Sequence, residues 1–84
     1  MIPYVQLFAV GRGILLRRKE LETYIFLLVP TVISISFNLD DKVFTMMVKS
    51  TKKVDELIIR LMEQKKLKIS LLDFEEEPAK KGVF

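Results

Sequence analysis

Between two apolar segments the chain runs Gly11-Arg12-Gly13-Ile14-Leu15-Leu16-Arg17-Arg18-Lys19, nine residues holding two glycines, three arginines and a lysine. Glycine-framed backbone entering a helix start, with guanidinium groups beside it, suits an oxyanion, because free N–H groups, the helix dipole and the arginine fork act on one place. Arg17, one turn into the helix, can point back over the Gly11-Arg12-Gly13 turn. The same residues also suit a plain corner followed by a solvated helix face, and the two readings stay open at this level. Asn38 is the second candidate. It sits near the end of a strand pattern beside Ser34 and Ser36, although Asn38-Leu39-Asp40-Asp41 is also ordinary hairpin-turn composition. Glu75, Glu76 and Glu77 are consecutive, so on a strand they alternate in direction and do not converge on a cation. No metal site is expected.

The remaining chemistry is limited by what the chain lacks. It has no cysteine and no histidine in 84 residues, which excludes disulfides, thiolate nucleophiles, zinc-finger ligand sets and Ser-His or Cys-His pairs. With 50% hydrophobic and 30% charged residues, the chain has the make-up of a single small folded domain, residues 1–84. Its net charge of +3 is too small and too interspersed with acids for a nucleic-acid footprint, and is compatible with a small anionic ligand. The start has neither the basic region nor the cleavage site of a secretory signal, so a cytoplasmic protein is expected. The uncharged run from Thr23 to Leu39 is broken by Pro30 and then alternates Ile33, Ile35, Phe37 against Ser34, Ser36, Asn38. That is strand rather than membrane-helix patterning, and no membrane partner is expected.

The elements that must position these residues follow from periodicity. Residues 2–10 read as a strand ending at the glycines. A helix is expected over 14–29, with Ile14, Leu21, Tyr24, Ile25 and Leu28 on one side and Phe26 and Leu27 interrupting the polar face; Pro30 ends it. A strand over 31–39 turns Ile33, Ile35, Phe37 and Leu39 inward. Its hairpin partner over 42–49 buries Phe44, Met46 and Val48. A helix over 52–67 is the strongest periodic signal, with Ser50 and Thr51 as cap candidates, Asp55 and Glu56 in its first turn, and Val54, Leu57, Ile58, Leu61 and Met62 inward. A fourth strand covers 68–75. The order βαββαβ predicts an α+β fold, the ferredoxin-like split βαβ with a four-stranded antiparallel sheet and both helices on one face. A ubiquitin-like β-β-α-β unit over 31–75 is the second architecture that fits.

Taken in order, several features resemble a degenerate member of the acylphosphatase family. Gly13-Ile14-Leu15-Leu16-Arg17 resembles that family's Gly-Val-x-Phe-Arg, and Asn38-Leu39-Asp40 resembles its Asn-Leu-Pro-Asp. The "VDELIIRL" helix and a tail with Glu-Glu-Pro and then Gly-Val-Phe match as well. Departing from the family, the chain lacks the Val-Gln pair before Gly13, which shortens the loop by two residues, and the proline and glycine of the later turn. The resemblance implies cofactor-independent, metal-free hydrolysis of an acyl phosphate. Arg17 would clamp the phosphoryl oxygens, and Asn38 would orient water. Backbone from Gly11 and Arg12 through Gly13, Ile14, Leu15 and Leu16 would bind the substrate.

Three other function classes remain. Ferredoxin-like modules that sense small ligands share this order of elements, pair as dimers and act without catalysis. Nucleic-acid binding would use Tyr4 and Phe8 on an open sheet face, but the aromatic strand motif for that is absent from 42–49. A partner-binding role is suggested by Val43, Met47 and Leu72, which lie opposite the core-facing set.

Overall fold

A computed structural model describes residues 3–40 and 43–76, and the side chains of Leu39, Asp40 and Glu76 are outside the description. The elements are β1 (Tyr4–Val10), α1 (Arg12–Leu16), α2 (Arg18–Leu28), β2 (Val32–Asp40), β3 (Val43–Ser50), α3 (Asp55–Gln64) and β4 (Ile69–Glu76). They build a four-stranded sheet in the order β2-β3-β1-β4, with every neighbouring pair antiparallel. This is the expected α+β, ferredoxin-like arrangement, and the β3–β1 pairing at the sheet's centre joins the two halves of the chain in a way a separate 31–75 unit would not. Asp41, Lys42 and the 77–84 tail, which hold part of the hairpin turn and of the family-like ending, lie outside the described residues.

The core lies between the helices and one face of the sheet. Phe8, Met46 and Val48 from the central strands meet Ile14, Leu21 and Ile25 from the first helical segment and Ile58 and Met62 from α3, each almost or fully buried. α2 packs over β2 and α3 over β4. Burying a side chain of this size contributes roughly 1.5–3 kcal/mol, so this cluster carries most of the fold's driving force.

Both edge strands are bulged, and the bulge in β2 corrects one expectation. β2 slips register between Val32 and Ser34, so Val32, Ile35 and Phe37 face the core while Ile33, expected inside, is 52% exposed. β4 slips opposite Leu7 and Phe8, so Leu72 is the extra residue and is exposed. A bulge inserts one residue and inverts the alternation on either side of it. Phe8 also departs from expectation, because it is fully buried under the helices and unavailable on the open face.

The helices differ from expectation at their ends. The first begins at Arg12 and is divided at Arg17, whose φ and ψ of −109° and 23° interrupt α1 and α2. Leu28 and Leu57, expected inside, are 47% and 41% exposed. α3 starts at Asp55 with Val54 in the cap position, because Ser50 and Thr51 are used elsewhere. At the other end Lys66 takes a left-handed φ of 62° while Leu67 N–H donates to the Met62 carbonyl and Lys66 N–H to that of Glu63, both at 2.9 Å. That pair of bonds is a Schellman motif, which ends the helix and turns the chain into β4.

Gln6 is the exception to the apolar core. It is completely buried; its Nε2 donates to the Val48 carbonyl at 2.9 Å and to Ser50 Oγ at 3.3 Å, and its Oε1 accepts the Val54 N–H at 2.9 Å. Ser50 Oγ in turn donates to the Lys52 carbonyl. Replacing Gln6 with Leu preserves bulk but strands the Val54 N–H and removes the bond that Ser50 Oγ accepts, while Ser50 still donates to the Lys52 carbonyl. A buried unpaired group costs about 1–3 kcal/mol, so Gln6→Leu is expected to lower stability by about 1–3 kcal/mol, checked by urea unfolding at unchanged m-value.

Candidate functional site

Within the Gly11–Arg17 segment Arg12–Leu16 is helix, not an open loop. Gly11 takes the cap position with extended φ and ψ of −92° and 174°, and its carbonyl accepts the N–H groups of Ile14 and Leu15 at 3.1 and 3.3 Å. Arg17 N–H donates to the Ile14 carbonyl at 3.1 Å, and Leu16 lies inside α1. Of the backbone donors expected to converge on an anion, those of Ile14 and Leu15 are therefore engaged within the turn, while Arg12 and Gly13 open a helix of five residues. The shortened loop leaves no slack for them to do otherwise, since the chain passes from Val10 into the helix through Gly11 alone. Neither glycine marks a close approach: a Cβ at Gly11 would meet nothing within 4 Å, and one at Gly13 would meet Leu67 Cδ2 at an ordinary 3.8 Å.

The arginines have local partners. Arg17 makes a forked pair with Glu20, Nε to Oε1 at 3.2 Å and Nη2 to Oε2 at 2.8 Å, and Lys65 approaches the same carboxylate at 3.7 Å. Hydrogen bonding from Arg17 holds the Glu20 carboxyl below its ordinary range, and the same contact raises the Arg17 guanidinium. Arg18 donates to the Leu15 carbonyl at 3.3 Å, and Arg12 is exposed at the start of α1. An anion at Arg17 must displace a carboxylate tethered three residues away, whose effective concentration is high.

Asn38 is on the other side of the sheet. It pairs with Thr45, which pairs with Ala9, and this row faces away from the helices because its neighbours Phe37, Met46 and Phe8 face the core. Arg17 lies in the helix layer, so the structure does not bring Arg17 and Asn38 together.

What gathers around Asn38 is a different surface. Across the open face the rows read Asn38-Thr45-Ala9-Ser70, Ser36-Met47-Leu7-Asp73 and Ser34-Lys49-Val5-Glu75. Read along the strands, an apolar strip of Val5, Leu7, Ala9, Val43 and Met47, interrupted on β3 by Thr45 and Lys49, runs between hydroxyl and amide groups on β2 and carboxylates on β4. A groove of about 520 Å³ is lined by Leu7, Ser36, Asn38, Val43, Thr45 and Met47. A smaller hollow of about 200 Å³ adjoins it and reaches Asp73 and Glu75. Thr45 Oγ1 donates to the Asn38 carbonyl at 3.4 Å, leaving the Asn38 amide exposed. The sequence signal for this surface was the alternation in β2 and β3; Leu7, Asp73 and Glu75 were missed because only the pairing order brings them alongside. Among the described residues there is no cluster of acids fit to hold a metal ion, and no helix long and apolar enough to cross a membrane.

Two measurements check this geometry. Gly13→Ala is expected to stabilise by about 0.5–1 kcal/mol in thermal melts, the ordinary gain of alanine over glycine within a helix; a loss would mean that the position needs glycine. By NMR, Glu20 is expected to titrate below an ordinary glutamate and to move back up in Arg17→Gln. Because the folded value is the depressed one, the pair's contribution is present above the unfolded glutamate range and fades as pH falls through the folded value. No family model, curated protein or solved structure matches this chain, so its function rests on its own geometry.

Proposed function

We propose that this domain is a non-catalytic binding module that takes a compact amphipathic ligand on the open face of its sheet. The observation that carries the reading is the groove beside Asn38. It combines an apolar floor of Leu7, Val43 and Met47 with the hydroxyls of Ser36 and Thr45 and the Asn38 amide, the usual balance of a ligand site. Its volume lies in the range of small-molecule pockets.

The groove's lining is uncharged; beyond it the open face carries Lys49 at the far end of β3 and, across the apolar strip, the acids Asp73 and Glu75. A phosphate finds no cation in that lining and meets repulsion from that side. A molecule with an apolar body and a neutral or cationic polar end is favoured instead. Hydrolysis of an acyl phosphate ranks below this reading, because Arg17 is paired with Glu20 and lies across the sheet from Asn38.

Amide chemical-shift mapping with a panel of probes tests the proposal: leucine and phenylalanine, their amides, and inorganic phosphate. The expected result is perturbation of Ser36, Asn38, Thr45 and Met47 by the apolar probes, with the amides binding more tightly than the free acids because they lack the carboxylate. Asn38→Ala should weaken binding about 5–10-fold, the value of one lost hydrogen bond. Shifts confined to 11–17 on phosphate addition, or acyl-phosphate turnover abolished by Arg17→Ala, would overturn the reading.

A further inference from the structure

The two edges of the sheet are built differently. β4 carries Asp73, Glu75 and Glu76 and is bulged near its middle at Leu72, which are the usual devices that keep an edge from pairing with another chain. β2 has neither charge nor proline from Val32 to Leu39, and its bulge lies at the very start, at Ile33. From Ser34 onward, β2 therefore presents a regular strand whose outward N–H and C=O groups have no strand neighbour among the described residues.

We propose that this edge is the seam of a homodimer, in which β2 pairs antiparallel with β2 of a second copy to form one continuous eight-stranded sheet. The argument for a second copy is self-complementarity. In an antiparallel two-fold pair centred near Ser36, Ser34 faces Asn38 of the other copy on the open face, and Ile35 faces its Phe37 on the helix side. Directly opposed residues share a face, so hydroxyls meet an amide and apolar groups meet apolar groups, with no charge opposed to itself. The same operation at β4 would set carboxylates against carboxylates.

The helix layer supplies a second apolar contact. Tyr24 faces α3, where Lys65 Nζ stands 4.3 Å from its ring centre. Phe26 is two residues on, about 200° around the helix, and so points the other way, toward the outer edge of β2 over which α2 packs. It is 41% exposed, an aromatic ring on the flank that the two-fold axis would bring against its copy. Exposed Ile33 on the same edge extends the patch. This inference does not depend on the ligand reading, although the seam would make the two Asn38 grooves neighbours on one enlarged face.

Sedimentation equilibrium across the micromolar range tests it. The wild-type chain is expected at twice its 9.8 kDa monomer mass. Ser36→Lys sets two ammonium groups together at the axis and should weaken association at least 10-fold, and Phe26→Asp should do the same from the helix layer. Both positions are exposed, and an unchanged far-ultraviolet circular dichroism spectrum separates lost association from lost folding. Asp73→Lys on the other edge should leave the dimer intact. A monomeric wild type would overturn the proposal, as would Ser36→Lys and Phe26→Asp chains as dimeric as wild type, or dissociation by Asp73→Lys.

Discussion

The Gln6 amide is the constraint on which the rest of the architecture hangs. A β-strand at the centre of a small sheet would ordinarily place an apolar residue there, yet this chain buries a group with two donors and an acceptor. The site is fully satisfied only if β3 presents the Val48 carbonyl and Ser50 hydroxyl on one side while the entry to α3 presents the Val54 N–H on another. Apolar contacts tolerate sliding, whereas a buried amide does not, because each displaced partner leaves an unpaired group in low dielectric. One side chain therefore fixes the β1–β3 register and the starting point of α3 together. The start of α3 sets where β4 can arrive beside β1, so the acids of β4 come to flank the apolar strip as a consequence.

Fixing the centre leaves the edges to absorb the mismatch. The outer strands cross fewer partners than the inner ones, and each contains one bulge. This explains which parts of the fold were legible in the sequence. Phe44, Met46 and Val48 alternate on a central strand and face the core as their spacing predicts. Ile33 does not, because the extra residue reverses the face of everything before it, and nothing in the local run of Ile and Ser marks where the slip falls. Leu57 is a similar case. It has the right helical spacing, but α3 covers the β1–β4 side of a narrow sheet, too little to bury a wide helical stripe. Ser50 looked like a helix cap by type and position, and its hydroxyl is drawn instead into the Gln6 network.

The candidate site was legible in part, for the same physical reason. Residue types alone bring Gly11, Gly13, Arg17 and Asn38 to mind as an anion site, since each has suitable chemistry. Whether they act together depends on which side of the sheet each one occupies, and composition does not encode that. The glycines enter a helix directly, Arg17 meets Glu20 one turn on, and Asn38 points to the opposite face. The pairing of a helix arginine with a glutamate three residues later was readable as an i,i+3 contact. A tethered partner of this kind generally wins over a diffusible one, so a cationic cluster beside it is not by itself an anion site.

A fold with helices on one side only must leave a sheet face to solvent, and the content of that face is where such a domain differs from a purely structural one. A face serving only solubility would be expected to carry polar residues at the alternate positions of its central strands, since antiparallel sheets exposed on one side normally alternate apolar and polar. Here β1 keeps Val5, Leu7 and Ala9 outward and β3 keeps Val43 and Met47 outward alternating with Thr45 and Lys49, while the edge strands carry hydroxyls and an amide on β2 and carboxylates on β4. On β1 that layout replaces the usual alternation with an unbroken apolar outward row, so the face is amphipathic across the sheet as well. The apolar strip gains from being covered, and the two flanking columns differ in charge, so a molecule lying across it is oriented as well as held. The uncharged column lies on the edge left without protective charge. Restraint of charge on β2 thus serves two ends with one choice of residues: it keeps the groove lining neutral, and it leaves that edge free of the repulsion that guards β4.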